Sequence, residues 1–144
     1  MTTKDETYIL DLCDEILNRT SQRQYRFSFL LGDPGKNGSC RKLPVDAYYE
    51  NLNLVIEYKE RQHTESVNHF DKPNKITVSG VHRGLQRALY DNRRREILLK
   101  YKIKLIEISY SDFEYNSSKR LKRNIEADKK KLKTLLDSIT QKSR

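Results

Sequence analysis

"LPVDAYYENLNLVIEYKE", residues 43–60, is the stretch on which the fold turns. Its aromatic and β-branched residues read as two strands, about 42–49 and 53–59, yet Asp46, Glu57 and Lys59 lie inside this apolar run. If residues 50–53 turn a hairpin, a symmetric loop centred between Asn51 and Leu52 sets Asp46 directly opposite Glu57. Cross-strand Cβ atoms lie about 4.5–5.5 Å apart, and like charges held that close are destabilising unless something compensates them. A divalent cation would do so. Side chains two apart share a face, so Lys59 points with Glu57 and Tyr58 points to the other side. Three charged groups then converge at one end of a buried sheet.

The rest of the chain frames that hairpin. Residues 4–19 set Tyr8, Ile9, Leu12, Cys13, Ile16 and Leu17 at helical spacing, an amphipathic first helix. "YRFSFLL", 25–31, reads as a strand, and "GDPGKNGSC" after it as a loop. The polar segment 61–80, with Pro73 and Gly80, is long for a connection in a compact domain, which marks a functional loop. A helix at about 81–101, a strand at 103–110 and a helix at about 117–140 complete the order α-β-β-β-α-β-α, with no internal repeat. With 144 residues, 35% apolar and 34% charged, the chain suits one domain spanning 1–144, because two would each lack an adequate core. The fold class expected is α/β or α+β, a central mixed sheet flanked by helices.

Charge narrows the partners. Lys and Arg number 29 against 20 Asp and Glu, a formal net charge of +9, which favours a polyanion such as nucleic acid. No N-terminal apolar leader is seen, and no apolar run nears the roughly 20 residues that span a bilayer. The reading is a soluble cytoplasmic protein with no membrane partner. Cys13 and Cys40 show no metal spacing and read as free thiols.

Two carboxylates and a lysine at one sheet end suit phosphodiester hydrolysis: the acids hold Mg²⁺, with Mn²⁺ as substitute, and the ammonium stabilises charge as the pentavalent state forms. At these residues, "VD" at 45–46 and "EYK" at 57–59, the sequence resembles the PD-(D/E)xK phosphodiesterase superfamily, of restriction-endonuclease-like fold. The superfamily's core order, α-β-β-β-α-β, matches residues 4–110. One departure is that Pro44 stands two residues before Asp46 rather than directly before it. The resemblance implies Asp46 and Glu57 as metal ligands, the Tyr58 carbonyl as a further ligand and Lys59 as the catalytic lysine. It also implies an acid from the first helix, for which Glu15 is chosen, with Asp11 and Glu6 as alternatives.

Downstream, "QRALY" at 86–90 resembles the Q-x-x-x-Y element of lambda-exonuclease and RecB-type members; Gln86 and Tyr90 share a helix face and could reach a nucleic-acid backbone or orient the lysine. "YDNRRREILLKYKIKLIEI" is similar to small very-short-patch-repair-type members. Asp91 pairs with Arg94 or Arg95 on the bland reading, whereas Arg94 faces substrate on the functional one. Arg83, Arg87, Arg93, Arg94 and Arg95 form a basic surface near the site, and residues 117–144 hold ten Lys or Arg against three acids. Of His63, His69 and His82, none at metal-ligand spacing, His63 lies four positions past Lys59 and could approach the site. "GDPGKNGS" lacks the phosphate-loop pattern and reads as a plain turn. The expectation is a Mg²⁺-dependent DNA endonuclease in a restriction, repair or mobile-DNA defence setting, homodimeric where both strands are cut. RNA fits the same chemistry. The rival is a nucleic-acid-binding module that keeps the fold without cleaving, and a basic protein-binding adaptor leaves the buried acids unexplained.

Overall fold

A four-stranded mixed sheet carries helices on both faces in the computed structural model, which describes residues 4–60 and 83–140. In chain order the elements are α1 (Asp5–Leu17), β1 (Gln22–Pro34), β2 (Cys40–Tyr49), β3 (Leu54–Lys59), α2 (Arg83–Lys100), β4 (Lys104–Ser109) and α3 (Ile125–Thr140). The strands lie in the order β1-β2-β3-β4, antiparallel except for the parallel pair β3 and β4. The α+β class expected from sequence is the one observed.

Strand β3 is central, covered on both faces, and accordingly buried from Leu54 through Tyr58. On one face, Ile9, Leu12 and Cys13 of α1 and Leu132 and Leu136 of α3 pack on Ala47, Ile56, Tyr58 and Ile108. On the other, Leu98 of α2 packs with Phe27, Leu30, Val45 and Val55. At about 25 cal/mol per Å² of apolar surface removed from water, these two clusters dominate the folding energy.

The β2–β3 hairpin turns through a single 3₁₀ turn, Glu50–Leu52, and Asn53 closes it in the left-handed conformation at φ 52°. Asparagine tolerates that region better than most residues. Its side chain also donates to the Lys102 carbonyl at 2.7 Å, tying the hairpin to the entry of β4. The resulting partners are Tyr49 with Leu54, Tyr48 with Val55 and Ala47 with Ile56. This is the register of the symmetric loop, and its next pair is Asp46 with Glu57.

Beyond Ala47 the strand does something that alternation alone does not foretell. Val45 and Ala47 are two apart and should share a face, yet Val45 joins the α2 cluster and Ala47 the α1 and α3 cluster. The partner strand switches at the same level, since Arg23 pairs with Ala47 and Tyr25 with Val45, and Gln24 between them has φ 50°. Both strands turn over at Gln24 and Asp46. From there β1 and β2 leave β3 and continue together as a two-stranded ribbon that ends in the turn 35–39.

Two boundaries differ from expectation. Strand β1 is longer than 25–31, because it also supplies the ribbon. The last helix starts at Ile125, not near 117, because Asn and Ser side chains compete with helical bonding. The Asn116 carboxamide accepts from the Ser118 and Arg120 amides, Lys119 sits at φ 62°, and Asn124 Oδ1 accepts from the Ala127 amide as the cap. Leu121 is buried all the same, from a bridge pairing with Tyr115. The segment 61–80, with His63, His69 and also His82, lies outside the described residues.

Candidate active site

Where β2 parts from β3, the two carboxylates take over the hydrogen bonds the ladder gives up. The Asp46 amide donates to Glu57 Oε2 at 2.5 Å, and the Tyr58 amide donates to Asp46 Oδ2 at 2.8 Å. Each acid thus accepts a main-chain N–H of the facing strand. Glu57 is 4% exposed, so its charge is held in a poorly hydrated setting. Burial first, and the Asp46 charge next, push its carboxyl up to about 7, although Lys59, Arg94 and the Asp46 amide favour the charged form.

Lys59 leaves β3 on the same face as Glu57, while the Tyr58 ring packs in the opposite cluster. Its ammonium lies 3.8 Å from Glu57 Oε1, 3.0 Å from Asp91 Oδ2 and 3.7 Å from Glu107 Oε2. Asp91 comes from α2 and is itself buried; it also pairs with Arg94 at 2.8 Å. Arg94 Nε donates to the Pro44 carbonyl at 3.0 Å and stands 3.6 Å from Glu57 Oε1. Glu107 enters because the parallel register sets it beside Glu57. Burial opposes its charge, but the two Arg95 hydrogen bonds, at 2.7 and 2.9 Å, and Lys59 hold its carboxyl below the usual range. Sequence reasoning gave Glu107 no role; its phase two after Leu105, on the face of Ile103, was the signal that could have found it.

Of the first-helix acids, Glu6 lies near Asp46 and Glu15 does not. Gln24 Nε2 lies 3.3 Å from Glu6 Oε2 and 3.4 Å from Asp46 Oδ1, bridging the two acids. Burial, then the charges of Asp46 and Glu60, raise the Glu6 carboxyl above its ordinary value. Glu15 instead accepts from Lys129 of α3 at 2.5 Å, and Asp11 pairs with Arg23 at 3.0 Å. Residues 6 and 15 are nine apart on a helix of 3.6 residues per turn, which places them on opposite sides.

Tyr90 reaches the ribbon, and Gln86 lies beside its hydroxyl. The Tyr90 hydroxyl accepts from the Asp33 amide at 2.9 Å and lies 3.4 Å from Gln86 Nε2. A Cβ on Gly32 would meet that hydroxyl at 3.0 Å, which is why glycine stands there. Around them opens a cavity of about 540 Å³, lined among others by Arg26, Arg41, Leu43 and Pro44. Arg87, one helical turn before Asp91, keeps Nη1 buried with no hydrogen-bond partner among the described residues.

The donor set is one of hard oxygens. Glu57 Oε1 and Asp46 Oδ1 each remain outside the main-chain bonds that occupy their sister oxygens. Mg²⁺ is commonly held by one or two carboxylates, with water and substrate phosphate completing its shell, and this pair fits that requirement. Among the described residues, no group of three or more His, Cys, Asp or Glu side chains forms a cation cage by itself. Neither a protein-family model, nor a curated protein, nor a solved structure matches the chain.

Proposed function

We propose that the chain is a Mg²⁺-dependent phosphodiesterase acting on DNA, an endonuclease of PD-(D/E)xK type with a restriction-endonuclease-like core. The observation that carries this reading is the facing pair Asp46 and Glu57 with Lys59 beside it, at the point where two strands separate. Burying like charges together costs free energy, and uncharged side chains could accept the same two main-chain hydrogen bonds. Asp46 and Glu57 would hold the ion, which supplies Lewis-acid polarisation of the phosphate and a more acidic water. Lys59 provides a positive charge where negative charge develops on the phosphorane oxygens, in a setting with little competing water. Asp91 and Glu107 fix the position of that ammonium. Glu6, bridged through Gln24, is the additional acid.

One observation favours the rival, a binding module that does not cleave: Lys59 and Arg94 already neutralise much of the acidic cluster. The decisive experiment is incubation of supercoiled plasmid with purified protein in Mg²⁺, Mn²⁺ or EDTA, with Asp46→Ala and Lys59→Ala in parallel. Metal-dependent nicking that drops by about 10²–10³-fold in each variant supports the nuclease, a loss of the size seen when one electrostatic group is removed from an active site. Equal inertness of all three proteins, with DNA retardation intact, gives the molecule to the rival.

A further inference from the structure

The ribbon formed by β1 and β2 begins at Asp46 and projects from the sheet on the side of the proposed site. One of its faces is spoken for. Phe27, Leu30, Leu43 and Val45 are buried under α2. Helix α2 also clamps the far end: Tyr90 accepts from the Asp33 amide, while Arg93 bonds the Leu31 carbonyl at 3.1 Å and Asp33 at 2.8 Å. The arm is therefore held in a fixed relation to Asp91 and Arg94, its neighbours on the same helix.

The outer surface carries one sign of charge. Arg26, Lys36, Arg41 and Lys42 are exposed, and between Gln22 and Tyr49 no exposed residue is acidic; Asp33 and Asp46 are both half-buried and bonded. The turn at the tip folds on its own bonds, with Gly35 N–H to Ser39 O at 2.9 Å and Asn37 Oδ1 accepting from Ser39. Ser28, Asn37 and Ser39 are further exposed polar residues of the ribbon and its tip.

We propose that this ribbon is a groove-reading arm for double-helical DNA, docking beside the phosphate that the site cleaves; its placement next to a scissile bond rests on the nuclease reading. A two-stranded ribbon fits the B-form major groove, about 12 Å wide, whereas the deep, narrow major groove of A-form RNA does not admit it. Arg26, Lys36, Arg41 and Lys42 neutralise flanking phosphates, and the short polar residues face base edges. The cavity at Gln86, Tyr90 and Arg41 receives the backbone of one strand as it leaves the groove.

The test is fluorescence anisotropy in EDTA with three probes of one sequence: a DNA duplex of about two helical turns, its single strand, and the RNA duplex. Wild type is compared with a Lys36→Ala, Arg41→Ala, Lys42→Ala triple variant and with a Lys130→Ala, Lys131→Ala, Lys133→Ala triple on α3 that removes equal charge. Arg26 is left in place because its guanidinium donates to the Lys42 carbonyl. Wild type should bind the DNA duplex at least ~10-fold tighter than the other two probes. The ribbon triple should lose at least ~10-fold in duplex affinity and make the log–log salt slope shallower by about 2–3, since each phosphate contact contributes about 0.9. Equal affinity for RNA and DNA duplexes, or a larger loss from the α3 triple, overturns the proposal. Duplex binding that depends on the ribbon in a protein that never cleaves leaves the arm standing and removes the nuclease; metal-dependent nicking with unchanged duplex affinity in the ribbon triple does the reverse.

Discussion

Two acidic clusters sit on opposite faces of the sheet, and they solve the burial of charge differently. Beneath α1, Asp14 accepts from the Tyr49 hydroxyl, from Ser21 Oγ at 2.8 Å and from Arg23 at 2.9 Å, and Arg23 also reaches Asp11. There each acid meets donors. On the α2 face, Asp46 and Glu57 each accept one main-chain N–H and Glu57 lies near Lys59 and Arg94, yet burial and the facing Asp46 charge still raise Glu57 to about 7. The first cluster is built to stay as it is; the second keeps an electrostatic cost that a bound cation would relieve.

The comparison breaks first on stability. Asp14→Ala leaves the Tyr49 hydroxyl and Ser21 without this acceptor and Arg23 with Asp11 as its remaining acid, and urea unfolding should show a loss of about 3 kcal/mol, with metal-dependent cleavage per folded molecule unchanged. Glu57→Gln keeps an acceptor for the Asp46 amide and removes one of two facing charges. At pH 8, where the wild-type carboxyl is ionised, it should be more stable than wild type by up to about 3 kcal/mol while cleaving nothing. If Glu57→Gln costs as much as Asp14→Ala, the two clusters are alike and the contrast fails.

A pH series sharpens the same point. The Glu57 carboxyl titrates near 7 folded and near 4.5 unfolded, so between these values the native state holds a proton that the unfolded chain has released. Its contribution is full below about 4.5 and is lost as pH rises through about 7, worth at most about 3 kcal/mol. In EDTA, urea midpoints of wild type should fall over that window relative to Glu57→Gln. Added Mg²⁺ should stabilise increasingly as pH rises, because the ligand must be deprotonated.

The smallest effects decide between the first-helix acids. Glu6→Gln should slow cleavage by about tenfold, a general-acid or metal-orienting contribution of about 1.4 kcal/mol. Glu15→Gln breaks only an exposed pair with Lys129, and should change stability by less than about 1 kcal/mol and cleavage not at all. Reversed results would move the site to the other side of α1.

Much of this was legible before any coordinate. The hairpin register followed from loop symmetry, and the opposite pointing of Tyr58 and Lys59 from the two-residue period of a strand. The choice of Glu15 failed because its helical phase says only that Glu6 and Glu15 diverge; which of them meets the sheet depends on how α1 lies across it. The turn-over at Asp46 was hidden because Gln24 carries no sequence sign of a left-handed backbone. Leu121 belonged to the right apolar set in the wrong element, since burial imposes hydrophobicity on bridges as well as helices. Asp91 was read as a local partner of Arg94, which it is; its bond to Lys59 needs the packing of α2 on β3.

The crossed bonds between Asp46 and Glu57 also have a mechanical meaning. By taking the amides of the facing strands, the two side chains act as a chock in the sheet, stopping β2 from zipping further along β3 and setting the angle at which the ribbon springs away. Replacing the two residues with valines would therefore change the angle of the arm, since neither valine accepts an amide.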